Sequence, residues 1–165
     1  MATIDTWSVR FSQTVAPDEV DLAPSITAAY LKGGKPRQQL FAVNNEVGGF
    51  GGDLITILPW VLNALVVISP LVTGLVASLP QMKDAVSVVN ECLELYNASK
   101  KDKIKTLPDA HYAPLKRTVE ALNRELSATP IPPEQRDLII YRVLLGIIND
   151  PAGTVEFTTK AAEKK

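Results

Sequence analysis

Cysteine and histidine each occur once in this 165-residue chain, and methionine only twice. A single cysteine excludes an internal disulfide. One Cys and one His cannot build a structural zinc site, which usually draws four ligands from those types. Aromatic residues make up 6% of the chain. None interleaves with the lysine-rich run Lys100 to Lys105, so the stacking platform of a single-strand nucleic-acid binder is missing. Excess charge of either sign is missing too: 17 basic against 18 acidic side chains give a net charge of −1. A general nucleic-acid binder carries a basic surplus, so none is expected as partner. No Gly-x-Ser-x-Gly elbow and no internal repeat is present, and Met1-Ala2-Thr3-Ile4-Asp5 lacks the basic start of a secretory signal.

What is present is an ordinary globular mixture, 46% hydrophobic and 21% charged. The length predicts one domain, 1–165, able to bury a core without covalent staples. Its parts are a small α/β unit over 1–52, apolar central helices over 53–98, C-terminal helices over 106–150 and a tail over 151–165. The charges are spread unevenly. Between Asp53 and Lys83 lie 29 consecutive uncharged residues, flanked on both sides by charge-rich sequence.

Thr6 to Val15 alternates, with Trp7, Val9, Phe11 and Val15 on one side, and predicts a half-buried strand. Pro24 to Lys32 predicts a short helix closed by Gly33-Gly34, with a strand leading into a Gly-Gly hairpin as the rival. Gln39 to Val43 reads as a second strand. The uncharged segment is expected to be helical, because Thr56, Asn63, Pro70, Gly74 and Ser78 fall in one stripe at 3.6 residues per turn. Pro59 and Pro70 should kink it or split it into shorter pieces. Further amphipathic helices are expected over about 80–97, 112–126 and 133–148, and a short strand over 154–158. The fold class predicted is therefore α+β and mostly helical. A strand–helix–strand unit packs on a kinked apolar central helix, followed by a bundle of three amphipathic helices. The order strand, short helix, Gly-rich turn, apolar helix loosely resembles small accessory domains attached to bacterial effector systems. It does so on Gly33-Gly34 and Gly48 to Leu54 alone and is not taken as a family assignment.

Few residues carry chemistry. Gly48-Gly49-Phe50-Gly51-Gly52 stands where a phosphate loop would, but Asp53 and Leu54 replace the lysine and the third glycine that such loops need. A helix-entry turn that can reshape around a partner is the better reading, and it makes Gly48, Gly49, Phe50, Gly51, Gly52 and the nearby Trp60 a candidate partner or conformational site. Thr56, Asn63, Gly74 and Ser78 form a candidate helix-association stripe, with Gly74-x-x-x-Ser78 letting helices approach closely. Cys92 lies on an apolar stripe, where a thiol is inert, so pairing with His111 for catalysis is not expected. The carboxylate pairs Glu91/Glu94 and Glu120/Glu125 read as solvated helix faces, and Lys100 to Lys105 as a solvated linker. No catalytic residue, cofactor or metal ligand is assigned.

Residues 54–79 would span about 39 Å as a straight helix, more than the roughly 30 Å of a bilayer core. The segment is thus either a buried core helix or a membrane span. The first gives a cytoplasmic, non-catalytic interaction or accessory module that binds another protein or itself. The second gives a small membrane-inserting or membrane-anchored protein.

Overall fold

The computed structural model describes residues 4–47, 57–81, 87 and 109–163. Eight α-helices run through them: α1 (Ile4–Val15), α2 (Ala23–Lys32), α3 (Gly34–Val47), α4 (Leu58–Val67), α5 (Ser69–Ser78), α6 (Asp109–Ser127), α7 (Pro133–Asn149) and α8 (Pro151–Ala162). Short 3-10 turns at Pro17–Leu22 and Leu79–Gln81 join α1 to α2 and follow α5. No β-strand occurs among the described residues. The expected α+β class is therefore corrected to all-helical over this part of the chain.

Two of the three expected strands, those over 6–15 and 154–158, fail for a common reason. In α1 the buried set is Trp7, Ser8, Phe11, Ser12 and Val15, and Val9 is only half-buried. In α8 it is Gly153, Thr154, Phe157, Thr158 and Ala161, with the same spacing. Both are helical faces in which each aromatic has a small or hydroxyl residue beside it. Hydroxyls tolerate burial when they bond to nearby backbone carbonyls. Ser12 Oγ donates to the carbonyl of Ala16 at 3.0 Å, Thr154 Oγ1 to that of Asp150 at 2.9 Å, and Thr158 Oγ1 to that of Val155 at 3.1 Å. Read as outward-facing polar residues, these same side chains produce an apparent period of two. Residues 39–43 belong to α3, where Gln39 is exposed and Leu40 and Phe41 are half-buried.

The helix ends follow proline more than any other residue. Pro24, Pro59, Pro70, Pro133 and Pro151 each stand in the first turn of their helix, where the missing N–H is not needed. Pro59 thus opens α4 rather than kinking it, and Pro70 splits the apolar segment. α4 and α5 meet at Ile68 with a bend of 80°. Pro151 ends α7 and begins α8, a bend of 105°, and Asp150 caps the new helix by accepting from the N–H of Gly153 at 3.0 Å. The tail expected after residue 151 is instead a helix, with Phe157 and Ala161 fully buried.

α4 and α5 form the centre. α2 packs on α4 from one side, while α6 and α8 pack against both α4 and α5. Leu58, Val61, Leu62, Leu65, Val72 and Leu75 are buried there, so much of the uncharged segment is covered by the chain's own helices. α6 presents Leu115, Val119, Leu122 and Leu126, the stripe that its periodicity predicts. α1 lies across α7 and α2. Trp7 stacks on Phe11 and on Phe157, each with ring centroids 4.8 Å apart, and Tyr30 tilts against Phe157 at 6.0 Å. The Trp7 indole N–H donates to Thr154 Oγ1 at 3.1 Å, so the one polar atom of this aromatic cluster's largest ring is paired.

Close approach fixes two glycines. A Cβ on Gly146 would stand 2.7 Å from Phe11 Cδ1, and one on Gly153 would stand 2.6 Å from Trp7 Cδ1. Gly146→Ala should therefore destabilise the protein by about 1–3 kcal/mol in urea unfolding, although alanine is the better helix former. Leu65 is 0% exposed. Leu65→Asp should abolish cooperative unfolding at neutral pH, because no partner offsets the buried charge. A soluble variant with native circular dichroism and an unchanged urea midpoint would show that α4 is not the core.

Candidate functional site

The polar side chains that organise the interior gather where α2, α3, α4 and α8 meet. Tyr30, in the last turn of α2, donates its hydroxyl to Asn63 Oδ1 of α4 at 2.7 Å. Arg37, in the first turn of α3, donates from Nε to the carbonyl of Tyr30 at 2.8 Å and from Nη2 to that of Ala161 at 3.1 Å. One guanidinium thereby closes the C-terminal ends of two helices, α2 and α8, where unpaired carbonyls concentrate negative partial charge. The same group lies over the Tyr30 ring, 4.1 Å from its centroid, a cation–π contact. Burial raises the Tyr30 pKa, and the Arg37 charge works against that rise. Tyr30 is thus a neutral hydrogen-bond donor rather than a base.

Beside this cluster lies Trp60, one turn of α4 before Asn63. Its ring meets Phe41 of α3 edge-on, with centroids 4.7 Å apart. The indole Nε1 is shielded from solvent and has no hydrogen-bond partner among the described residues. Val67 follows on the same stripe, at i+7 from Trp60, and is 55% exposed. The α4 face therefore runs from an aromatic contact under α3, through a paired amide, to open apolar surface.

A second polar device sits at the start of α4. Glu19, in the 3-10 turn before α2, accepts from the N–H of Ile57 on Oε2 at 2.7 Å and of Leu58 on Oε1 at 2.9 Å. It caps α4 from a distant part of the chain, supplying two of the acceptors that a helix start lacks. Burial raises the Glu19 pKa most strongly; the two backbone hydrogen bonds lower it, and neighbouring Asp18 raises it.

Of the sites expected from sequence, Trp60 and Asn63 stand one turn apart on α4, the first against Phe41 of α3 and the second bonded to Tyr30 of α2. Gly74 is exposed on α5, and Ser78, half-buried, donates to the carbonyl of Leu75 at 2.8 Å. The 80° bend separates these two from Asn63, so the expected stripe does not run along one straight helix. Gly48, Gly49, Phe50, Gly51, Gly52, Asp53 and Thr56 lie outside the described residues, as do Cys92, Glu91, Glu94 and Lys100 to Lys105. His111 falls in the first turn of α6, and its side chain lies outside the description. Glu120 is exposed and Glu125 half-buried on the same helix. Among the described residues no group of three His, Cys, Asp or Glu side chains is placed to hold a metal ion. Sequence reasoning missed Arg37, Tyr30 and Glu19 as organising residues. Only Arg37 carried a signal, as the cation that follows Gly33-Gly34 and so sits where a helix ends.

No family model, curated protein or solved structure matches the chain.

The raised pKa of Glu19 has a definite sign. The folded chain binds this proton more tightly than the unfolded chain does. Its contribution is therefore fully present below the unfolded range and is lost as pH rises through the folded one. Glu19→Gln does not titrate. Wild type should gain stability relative to this variant as the pH falls from 7 toward 4. Paired urea titrations across that interval measure the difference; a flat one would mean a solvated carboxylate, and an opposite slope would mean that the two backbone hydrogen bonds outweigh burial.

Proposed function

We propose that this chain is a non-catalytic protein-interaction module that docks a protein partner, in the first instance a second copy of itself. The surface is the outer face of α5 and the adjoining end of α4. The observation behind the reading is that face's lack of charge. Val67, Pro70, Thr73, Gly74, Ala77 and Pro80 are all exposed, and no charged side chain occurs anywhere from residue 54 to residue 82. Pro70, Gly74 and Ala77 repeat at helical spacing, so the exposed stripe is both apolar and low. Contiguous apolar surface of this kind marks contact sites, and small residues let a second helix approach closely. The Gly48–Gly52 segment adjoins α4 in sequence and is the second element of this reading.

A membrane-associated protein is the alternative, and one observation favours it. No single described helix is long and apolar enough to cross a membrane, but α4 with α5, and α7 with α8, pass that test as bent pairs. Against this, most of the large apolar side chains of α4 and α5 are turned inward onto other helices.

Gly74 makes a clean test, because a Cβ there meets nothing within 4 Å. Gly74→Ala should stabilise the isolated chain by about 0.5–1 kcal/mol through helix propensity. Gly74→Glu should leave unfolding nearly unchanged and weaken self-association at least tenfold, read as light-scattering mass against concentration. A monomeric mass at every concentration for wild type and variant alike would overturn the self-association reading. Retention in carbonate-washed membranes would select the membrane alternative.

A further inference from the structure

We infer that α3 is a hinged cover over the Trp60 face of α4, and that Arg37 is the latch that holds it down. Four observations converge. First, α3 begins at two consecutive glycines with positive φ, Gly33 at 70° and Gly34 at 54°. Non-glycine residues rarely adopt that conformation, and nothing stands within 4 Å of a Cβ built at Gly34, so at that residue the turn is set by backbone rather than by packing. Second, none of the described side chains of α3, residues 34–41, is fully buried, whereas α1, α2, α4, α5, α6, α7 and α8 all bury several. The described first part of α3, residues 34–41, thus buries little apolar surface, and such a stretch opens at lower cost than its neighbours. Third, Arg37 reaches away from its own helix to the carbonyls of Tyr30 and Ala161 and to the Tyr30 ring. These contacts tie α3 to the ends of α2 and α8, and they are lost together if the guanidinium lifts. Fourth, beneath α3 lies Trp60, its ring against Phe41 and its indole N–H shielded without a partner. An unpaired buried donor is uncomfortable in the closed arrangement and is relieved once water or another acceptor reaches it.

The design separates hinge, latch and covered surface. Opening turns α3 about Gly33-Gly34, frees Arg37 and uncovers Trp60, at the head of the α4 stripe that continues through Asn63 to the exposed Val67. The guanidinium's planar fork is essential to this arrangement, because two carbonyls on different helices must be met at once. The biological use of such a cover rests on the interaction reading given above. The motion itself is measured without any partner, so the two can fail separately.

Two measurements on the full chain test it. Trp7 is buried in the core, so acrylamide quenching reports on Trp60. Arg37→Gln should raise the quenching constant at least twofold while far-ultraviolet circular dichroism stays native, and Arg37→Lys should fall between the two. In wild type, native-state hydrogen exchange should show the amides of α3 opening at least tenfold more often than those of α2, α4 and α8. Equal protection across α3 and its neighbours in wild type, or an unchanged quenching constant in a folded Arg37→Gln, would overturn the proposal. If Arg37→Gln does not fold, the wild-type exchange pattern alone decides.

Discussion

Trp7 stacks on Phe11 from its own helix and on Phe157 from α8, and the approach of α1 to α8 is set by that contact. The rings sit close only because the opposing helices give way at Gly146 and Gly153, each lacking the Cβ that would strike an aromatic edge. Burying such rings contributes more than their area alone, since stacked pairs add about 0.5–1.5 kcal/mol. Tyr30 extends the cluster from α2 and hands it a polar exit through its hydroxyl to Asn63. The apolar α4–α5 pair is then lodged between α2 and the α6 and α8 helices, with Glu19 gripping its start. Remove the aromatic contact, and the geometry of Arg37, Asn63 and the α4 face has nothing to refer to.

Charge is distributed to suit this arrangement. The charged residues belong to helices with an outer side, such as α6 and α7, while the uncharged centre is mostly inside. Two of the charges that approach the interior act on helix ends. Glu19 meets the N–H groups at the start of α4, and Arg37 meets the carbonyls at the ends of α2 and α8. Arg10 approaches the Asp150 cap at 3.8 Å. Backbone termini offer half-charges already fixed in place, so a single side chain completes the interaction without a second buried ion. The prolines do similar service at helix starts, where Pro59, Pro70, Pro133 and Pro151 remove donors that would otherwise need acceptors.

How much of this was legible in the sequence depended on whether the deciding contact was local. α2 and α7 were readable because proline, glycine and a run of large apolar residues mark them within a few positions, and α6 because its leucines repeat cleanly. α1 and α8 were not, because Ser8, Ser12, Thr154 and Thr158 are buried only by virtue of partners far along the chain. A hydroxyl beside an aromatic looks the same on a strand edge and on a helix face, and tertiary packing decides between them. The apolar centre was legible as a helix broken by prolines, though which side chains it shows outward was not. Trp60 and Asn63 were singled out for position, yet what unites them is Phe41 and Tyr30, on helices that pattern alone does not place. Arg37 and Glu19 act across gaps in sequence that no spacing rule reaches.

The pairing of α1 with α8 has a temporal side. Trp7 and Thr154 are 147 positions apart, and the bond between them closes nearly the whole length of the fold. During synthesis α1 emerges before α8, so its aromatic stripe lacks Phe157 until that later helix has been made. Local helices form in microseconds or less, but this part of the core has to wait for α8. Trp7, Phe11 and Tyr30 are therefore the residues a nascent chain must keep from the wrong neighbour until Phe157 is in place.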